Sequence, residues 1–223
     1  MNQEEIMYIQ RSIDQQLLEW KQSSVHKPLL LRGARQVGKS SAIRHLGETF
    51  KHYIEVNFEK RPELKELFEK TSDVHQLAAR LGMLYNVPIE AGRTLVFLDE
   101  IQACPEAIKS LWFFKEDFPE LHVVAAGSLL EFALKELTSY GVGRIRSLFM
   151  YPLSFDEFLQ AQGKASWIEE KRKADHNHPL FEALHLELVQ QYRTFLMVGG
   201  MPASVVAWLE TQDYSQCQAE LDD

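Results

Sequence analysis

The chain alternates short apolar runs with segments in which apolar residues recur every three or four positions. The continuous apolar runs predict buried strands at 29–31, 94–98 and 121–126, the alternating stretch 53–58 predicts a further strand, and 145–151 is a candidate for a fifth. The intervening segments predict helices at 6–20, 42–50, 61–86, 105–112, 184–196 and 203–210. Strands that alternate with helices in this way predict an α/β fold: a mainly parallel five-stranded sheet between two layers of helices.

The pattern also predicts how the chain is divided. Residues 1–162 are expected to form the α/β core with its N-terminal helix, and the polar stretch 163–180 is expected to be an exposed excursion. Residues 181–223 are expected to form a small helical segment, broken at 199–202 by Gly-Gly-Met-Pro. The last residues, 211–223, are polar, and we expect the natural protein to continue beyond them.

Composition limits the functional classes. A hydrophobic content of 45% in 223 residues is ample for a core, and the acidic start is not that of a signal peptide. No apolar run approaches the length of a membrane helix, so a cytoplasmic protein without a membrane partner is expected. The net charge of −8 gives no indication of direct nucleic-acid binding.

One strand-to-helix junction carries a glycine-bounded loop, Gly33-Ala34-Arg35-Gln36-Val37-Gly38-Lys39-Ser40. In this context G-x-x-x-x-G-K-[ST] predicts a phosphate-binding loop. Glycine permits the backbone to curl around an anion, and the amides of the loop and of the helix start, through Ser41, favour negative charge. Lys39 is expected to reach the β- and γ-phosphates of a nucleotide, and the Ser40 hydroxyl is expected to ligate Mg²⁺.

Two adjacent carboxylates, Asp99 and Glu100, follow the apolar run 94–98. Ligands of parallel α/β sheets bind at the carboxyl ends of strands, so Asp99 is predicted to hold Mg²⁺ through its water shell. Glu100 is predicted to orient and polarise the water that attacks the γ-phosphate. The alternative for this pair is helix capping at a strand–helix junction.

With these residues in place, the sequence resembles an AAA+ type P-loop ATPase, in which the catalytic Glu follows the Walker B Asp. More narrowly, it resembles a prokaryotic family of predicted ATPases whose AAA domain precedes a C-terminal domain of unknown function. The resemblance is carried by residues 29–40, 95–102, 126–128, 143–144, 151–158 and 199–202. It implies that this C-terminal domain, missing from the sequence, is an intramolecular partner.

The resemblance also implies roles for four residues outside the loop. Ser128 matches a polar sensor that touches the γ-phosphate or the water, with a capping serine as the alternative. Asn57 matches a residue that holds the catalytic Glu inactive until a partner arrives, with a strand-end hydrogen-bonding residue as the alternative. Arg144 matches an arginine finger or sensor, in cis or in trans, with a surface arginine as the alternative. Pro202, in a Gly-x-Pro turn, matches a contact to the nucleotide.

These observations together predict an ATP-binding, Mg²⁺-dependent ATPase module that acts as a nucleotide-driven switch. Adenine rather than guanine follows from the resemblance. Two alternatives stay open: a nucleotide-sensing module with negligible turnover, and a P-loop kinase that phosphorylates a small molecule. The sequence identifies no protein partner.

Overall fold

The computed structural model describes residues 8–24, 26–127 and 143–222. The chain divides into two compact units. One, the core unit, is Ile13–Met150, and the other, the helical unit, is formed by the described residues of Met1–Ser12 and Tyr151–Asp223. The division at Met150 precedes residue 162, the expected end of the core, and Leu153 and Phe158 pack with Val198, Val205 and Trp208 of the later helices.

The core unit alternates helices and strands. Its elements are α1 (Ser12–Gln22), β1 (Leu29–Arg32), α2 (Lys39–Gly47), β2 (His52–Asn57), α3 (Lys65–Glu69), α4 (Val74–Tyr85), β3 (Thr94–Asp99), α5 (Pro105–Asp117), β4 (His122–Ala126) and β5 (Arg146–Phe149), with 3₁₀ turns at Pro62–Leu64 and Ile101–Ala103. These strands form one sheet in the order β2-β3-β4-β1-β5, and every pairing is parallel. The predicted α/β class is confirmed.

The apolar runs are buried as predicted. Every residue of β3 and of β4 is buried, which is typical of central strands covered by helices on both faces. The segment 61–86 differs from the expected single helix, because Asp73 caps α4 by accepting hydrogen bonds from the backbones of His75 and Gln76. The one predicted helix is therefore a 3₁₀ turn and two α-helices.

The register of the sheet decides which residues can meet. β1 lies between β4 and β5, and Asn57 of β2 is paired with Asp99 of β3. Because the strands are parallel, their carboxyl ends share one edge of the sheet. This carboxyl edge therefore holds Asn57, Asp99 and the loop that follows β1.

The helical unit follows β5. Its elements are α6 (Phe155–Ala161), α7 (Ala165–Lys173), α8 (Glu182–Val198), α9 (Pro202–Thr211) and α10 (Tyr214–Asp222). The stretch expected as a polar excursion thus contains α7, because Ile168 buries its side chain with Leu184 and Leu188 of α8. α10 was not predicted from its polar sequence, in which Cys217 is the single buried residue among those of described burial.

None of the helices formed by the described residues is long and apolar enough to cross a membrane.

Candidate functional site

The loop between β1 and α2 has a backbone that requires glycine. Gly33 has φ 148° and Gly38 has φ 95°, in the region that L side chains rarely adopt. A Cβ added to Gly33 would overlap the carbonyl oxygen of Met150, whose own N–H donates to the carbonyl of Arg32 over 2.8 Å. The loop is thus held against the backbone that follows β5, and residues 34–36 remain exposed.

Lys39 is buried inside this loop. The residue is only 8% exposed, and its Nζ donates to the carbonyl oxygens of Gly33 (3.0 Å) and Ala34 (2.6 Å). Burial lowers the pKa of the Lys39 ammonium, while the charges of Glu100 and Asp99 oppose that shift. A phosphate entering the loop would meet this ammonium directly.

Asp99 receives hydrogen bonds from three neutral groups. Ser40 Oγ donates to Oδ1 over 3.1 Å, Asn57 Nδ2 donates to Oδ2 over 2.9 Å, and the backbone N–H of Glu100 donates to Oδ1 over 3.1 Å. Burial raises the pKa of Asp99, as does the Glu100 charge, against the lowering effect of the hydrogen bonds from Ser40 and Asn57. A cation beside this carboxylate would favour its ionised form.

The oxygens of Ser40 and Asp99 fit a magnesium ion, which prefers hydroxyl, carboxylate, phosphate and water oxygens. In the part of the chain that is described, no group of three or more His, Cys, Asp or Glu side chains is arranged to hold a metal. A cation at this pair would therefore depend on phosphate oxygens and water for its remaining ligands.

Glu100 has an unusual backbone. It adopts φ 50° and ψ 44°, the left-handed region, at the start of the 3₁₀ turn Ile101–Ala103, and its side chain does not cap that turn. Glu100 Oε2 instead accepts a hydrogen bond from Gln102 Nε2 over 2.6 Å. Gln102 was missed as a candidate, although it lies in the stretch 95–102 that carries the family resemblance.

Asn57 is hydrogen-bonded to Asp99, the predicted metal ligand, whereas the sequence predicted that it restrains Glu100, the predicted base. Its amide nitrogen donates to Asp99, and its carbonyl oxygen accepts from the backbones of Glu59 and Lys60 over 3.1 and 2.8 Å. This geometry matches the alternative, a strand-end residue that makes hydrogen bonds. It also orients Asp99 toward Ser40.

Arg144 is not brought to the loop of its own chain. Arg146 is paired with Leu29, the first residue of β1, whereas the loop follows the last residue of that strand. Arg144 thus lies beyond the amino edge of the sheet, more than about 13 Å from the loop at the usual rise of a four-residue strand. There its Nε donates to Glu116 over 2.9 Å, and its guanidinium lies 5.0 Å from the ring centre of Trp112.

Two further residues were predicted for the site, Ser128 and Pro202. Ser128 lies outside the described residues. Pro202 is the first residue of α9, in the helical unit, one position before the predicted start of that helix at residue 203. Its contact with a nucleotide stays a prediction.

The class of protein follows from where these groups lie. A parallel α/β sheet that presents a glycine loop with an enclosed lysine next to a strand-end aspartate is a P-loop nucleotide-binding module of the ATPase type. The sequence model of one family, described as an AAA domain, matches residues 25–159. The chain belongs to this AAA domain family.

A solved structure shares the fold. The Walker-type ATPase Paby2304 of Pyrococcus abyssi superposes with a TM-score of 0.57 at 20% identity, over 96% of this chain and 72% of that chain. PCH-2 of C. elegans gives a TM-score of 0.46 at 12% identity, over 95% of this chain and 65% of that chain. No curated protein matches the sequence significantly. The archaeal structure supports the fold.

Proposed function

We propose that this chain binds ATP with Mg²⁺ and hydrolyses it, and that the bound nucleotide acts as a switch. The observation that carries the proposal is the 3.1 Å hydrogen bond between Ser40 and Asp99, next to a loop that already encloses Lys39. The family and the archaeal Walker-type ATPase support the same activity by resemblance.

Each group has a distinct task in this proposal. The loop amides and Lys39 bind the phosphates. When a phosphate enters, the Lys39 ammonium gives up its hydrogen bonds to the carbonyl oxygens of Gly33 and Ala34 and binds phosphate oxygens instead. Ser40 and Asp99 hold Mg²⁺, which, when bound, neutralises charge that develops on the phosphate oxygens.

Glu100 is proposed as the group that orients the attacking water and accepts its proton. One carboxylate oxygen, Oε2, accepts a hydrogen bond from Gln102 Nε2 over 2.6 Å, which restrains the side chain and leaves Oε1 for the water. The same restraint favours a second candidate function, a nucleotide-sensing module with negligible turnover. Ser128 as a sensor and Pro202 as a nucleotide contact belong to the proposal as well, and Arg144 belongs to it in trans, serving the site of a neighbouring copy.

The switch is proposed to act through the segment after Gly200. The family resemblance supports a C-terminal domain as the element that reads the nucleotide state, in a cytoplasmic protein.

Release of phosphate from Mg-ATP, with no acceptor added, tests the proposal. The proposal predicts turnover by the wild type and a loss of about 100-fold in Glu100→Gln, because a general base contributes on this order. Glu106→Gln, on α5, is the matched control and keeps the wild-type rate. If the wild type and both variants bind ATP but none turns it over, the sensing module is favoured. If turnover needs a small-molecule acceptor, a kinase is favoured.

A further inference from the structure

The four residues 150–153, which follow β5, have a backbone contact to a glycine at each end. At the first end, the Met150 carbonyl lies so close to Gly33 that a Cβ there would overlap it. At the second end, the N–H of Leu153 donates to the carbonyl of Gly200 over 2.6 Å. A Cβ added to Gly200 would lie 2.5 Å from the carbonyl oxygen of Leu153. We call residues 150–153 the linking segment.

These contacts belong to different units of the chain. Gly33 and Met150 lie in the core unit, where Gly33 opens the phosphate loop, and Leu153 and Gly200 lie in the helical unit, just ahead of α9. The linking segment is therefore continuous backbone from a residue that touches the loop to a residue that touches the Gly200 turn. Because neither contact has room for a side chain, a small shift at one end is not absorbed by side-chain rotation.

A buried ion pair holds the middle of the linking segment. Arg11 Nη2 donates to the carbonyl oxygen of Tyr151 over 2.7 Å, and Arg11 Nε lies 3.2 Å from Glu157 Oε1. Glu157 also accepts from the N–H and the hydroxyl of Ser12 over 2.7 and 2.9 Å, and from the N–H of Ser154 over 2.7 Å. Arg11 and Glu157 are 7% and 8% exposed.

The hydrogen bonds keep Glu157 charged although it is buried. Burial alone would raise the pKa of its carboxyl, but the donors from Ser12 and Ser154 and the charge of Arg11 outweigh burial and lower that pKa. A buried pair is costly unless its hydrogen bonds are satisfied, and its best-attested use is to fix one arrangement of the chain. Here the arrangement it fixes is the path of the linking segment.

We propose that the linking segment carries the nucleotide state from Gly33 to the Gly200 turn, and that Arg11 is the positioning residue that makes this coupling possible. The inference rests on the proposed function, since it requires nucleotide to bind the phosphate loop. It adds the physical connection between the loop and α9. Arg11 acts through Tyr151 and does not itself touch nucleotide.

Hydrogen exchange of the full chain, with and without Mg²⁺ and a non-hydrolysable ATP analogue, tests this coupling. In the wild type, the analogue is expected to change the exchange rate of amides in residues 150–154 and 198–206 by about threefold or more, the scale of a shift in local opening. Arg11→Lys keeps a positive charge for Glu157 but lacks the planar fork that also reaches the Tyr151 carbonyl. This variant is expected to bind the analogue but to lose the change in 198–206.

The matched control is Arg172→Lys, on α7, where the native guanidinium bonds Asp156 from an exposed position. It is expected to keep the wild-type response. If Arg11→Lys does not fold, Gly200→Ala, whose added methyl group meets the Leu153 carbonyl, replaces it with the same expected loss. A wild type that binds the analogue without a response in 198–206 already overturns the coupling, whereas a response in the wild type needs a variant to distinguish the coupling from direct contact of Pro202 with nucleotide.

The possible results distinguish failure of the ATP site from failure of the coupling. A wild type that does not bind the analogue overturns the proposed function. A wild type that binds it without a response in 198–206, or an Arg11→Lys chain that responds like the wild type, overturns the coupling and leaves the ATP site standing.

Discussion

The hydroxyl of Ser40 donates a hydrogen bond to the carboxylate of Asp99 over 3.1 Å, although 59 positions separate the two residues in the sequence. Ser40 is in the first turn of α2, and Asp99 is the last residue of β3. The parallel sheet brings them together at its carboxyl edge, where an oxygen pair suits a magnesium ion.

Asn57→Ala is expected to raise the Mg²⁺ concentration needed for half-maximal nucleotide binding, because the variant loses the 2.9 Å hydrogen bond that orients Asp99. We expect a change of about threefold to tenfold, the net value of one ordinary hydrogen bond, because Asp99 keeps its hydrogen bonds from Ser40 and from the Glu100 backbone. Titration of Mg²⁺ at fixed ATP measures this effect. If Asn57 instead restrains Glu100, the variant would hydrolyse ATP faster at saturating Mg²⁺.

Lys39→Met is expected to weaken ATP binding by about tenfold or more, because it removes the enclosed ammonium that pairs with the phosphates. An equilibrium titration with Mg-ATP measures the loss. Lys60→Met, at an exposed position, serves as the control and keeps wild-type affinity. Equal affinities for the two variants would contradict a role for Lys39 in phosphate binding.

Gly33→Ala is expected to destabilise the fold and to abolish ATP binding, because its Cβ would overlap the Met150 carbonyl and its φ of 148° disfavours a side chain. Thermal unfolding and a nucleotide titration report the two effects. Gly92→Ala, also at positive φ but with open space around the added Cβ, is the control and keeps ATP binding. A Gly33→Ala chain with wild-type stability would show that this close approach does not exist.

The buried His122 is expected to make the stability of the fold sensitive to acid. Its ring is buried against Trp20 and His26 and donates from Nε2 to the carbonyl of Lys21, and burial chiefly lowers its pKa to about 4. Since the unfolded histidine has a pKa near 6.5, the unfolded state takes up a proton first. This contribution to stability is therefore present in full above pH 6.5 and is lost as the pH falls toward about 4.

The melting temperature of wild type and His122→Gln across this pH range checks the sign. The wild type is expected to lose stability more steeply than His122→Gln, while His176→Gln, at an exposed position, follows the wild type. Parallel curves for wild type and His122→Gln would show that His122 does not contribute.

The elements best predicted from the sequence are those whose residue pattern strongly favours one type of secondary structure. The short, continuous apolar runs of β3 and β4 are rich in strand-forming residues and typical of strands covered on both faces. Once those strands are parallel, Asp99 and the loop after β1 must share an edge, so the Ser40–Asp99 pair followed from topology.

The features that the sequence did not reveal depend on geometry that side-chain patterns do not carry. The register of β5, which sends Arg144 to the amino edge, is set by backbone hydrogen bonds to β1. The contact of Gln102 with Glu100 requires the left-handed backbone at Glu100, for which glutamate has no preference. α10 buries too little apolar surface to show helical periodicity.

The central claim, that the loop and the Ser40–Asp99 pair hold a metal–nucleotide complex, is tested most directly with Mn²⁺, a paramagnetic substitute for Mg²⁺. Titration of Mn-ATP against the wild type, Ser40→Ala and the control Ser147→Ala, followed by electron paramagnetic resonance, measures the bound metal. The account predicts tight binding by wild type and Ser147→Ala, and about tenfold weaker binding by Ser40→Ala, on the scale of losing one hard oxygen ligand. Identical Mn-ATP affinities for all three proteins would contradict it.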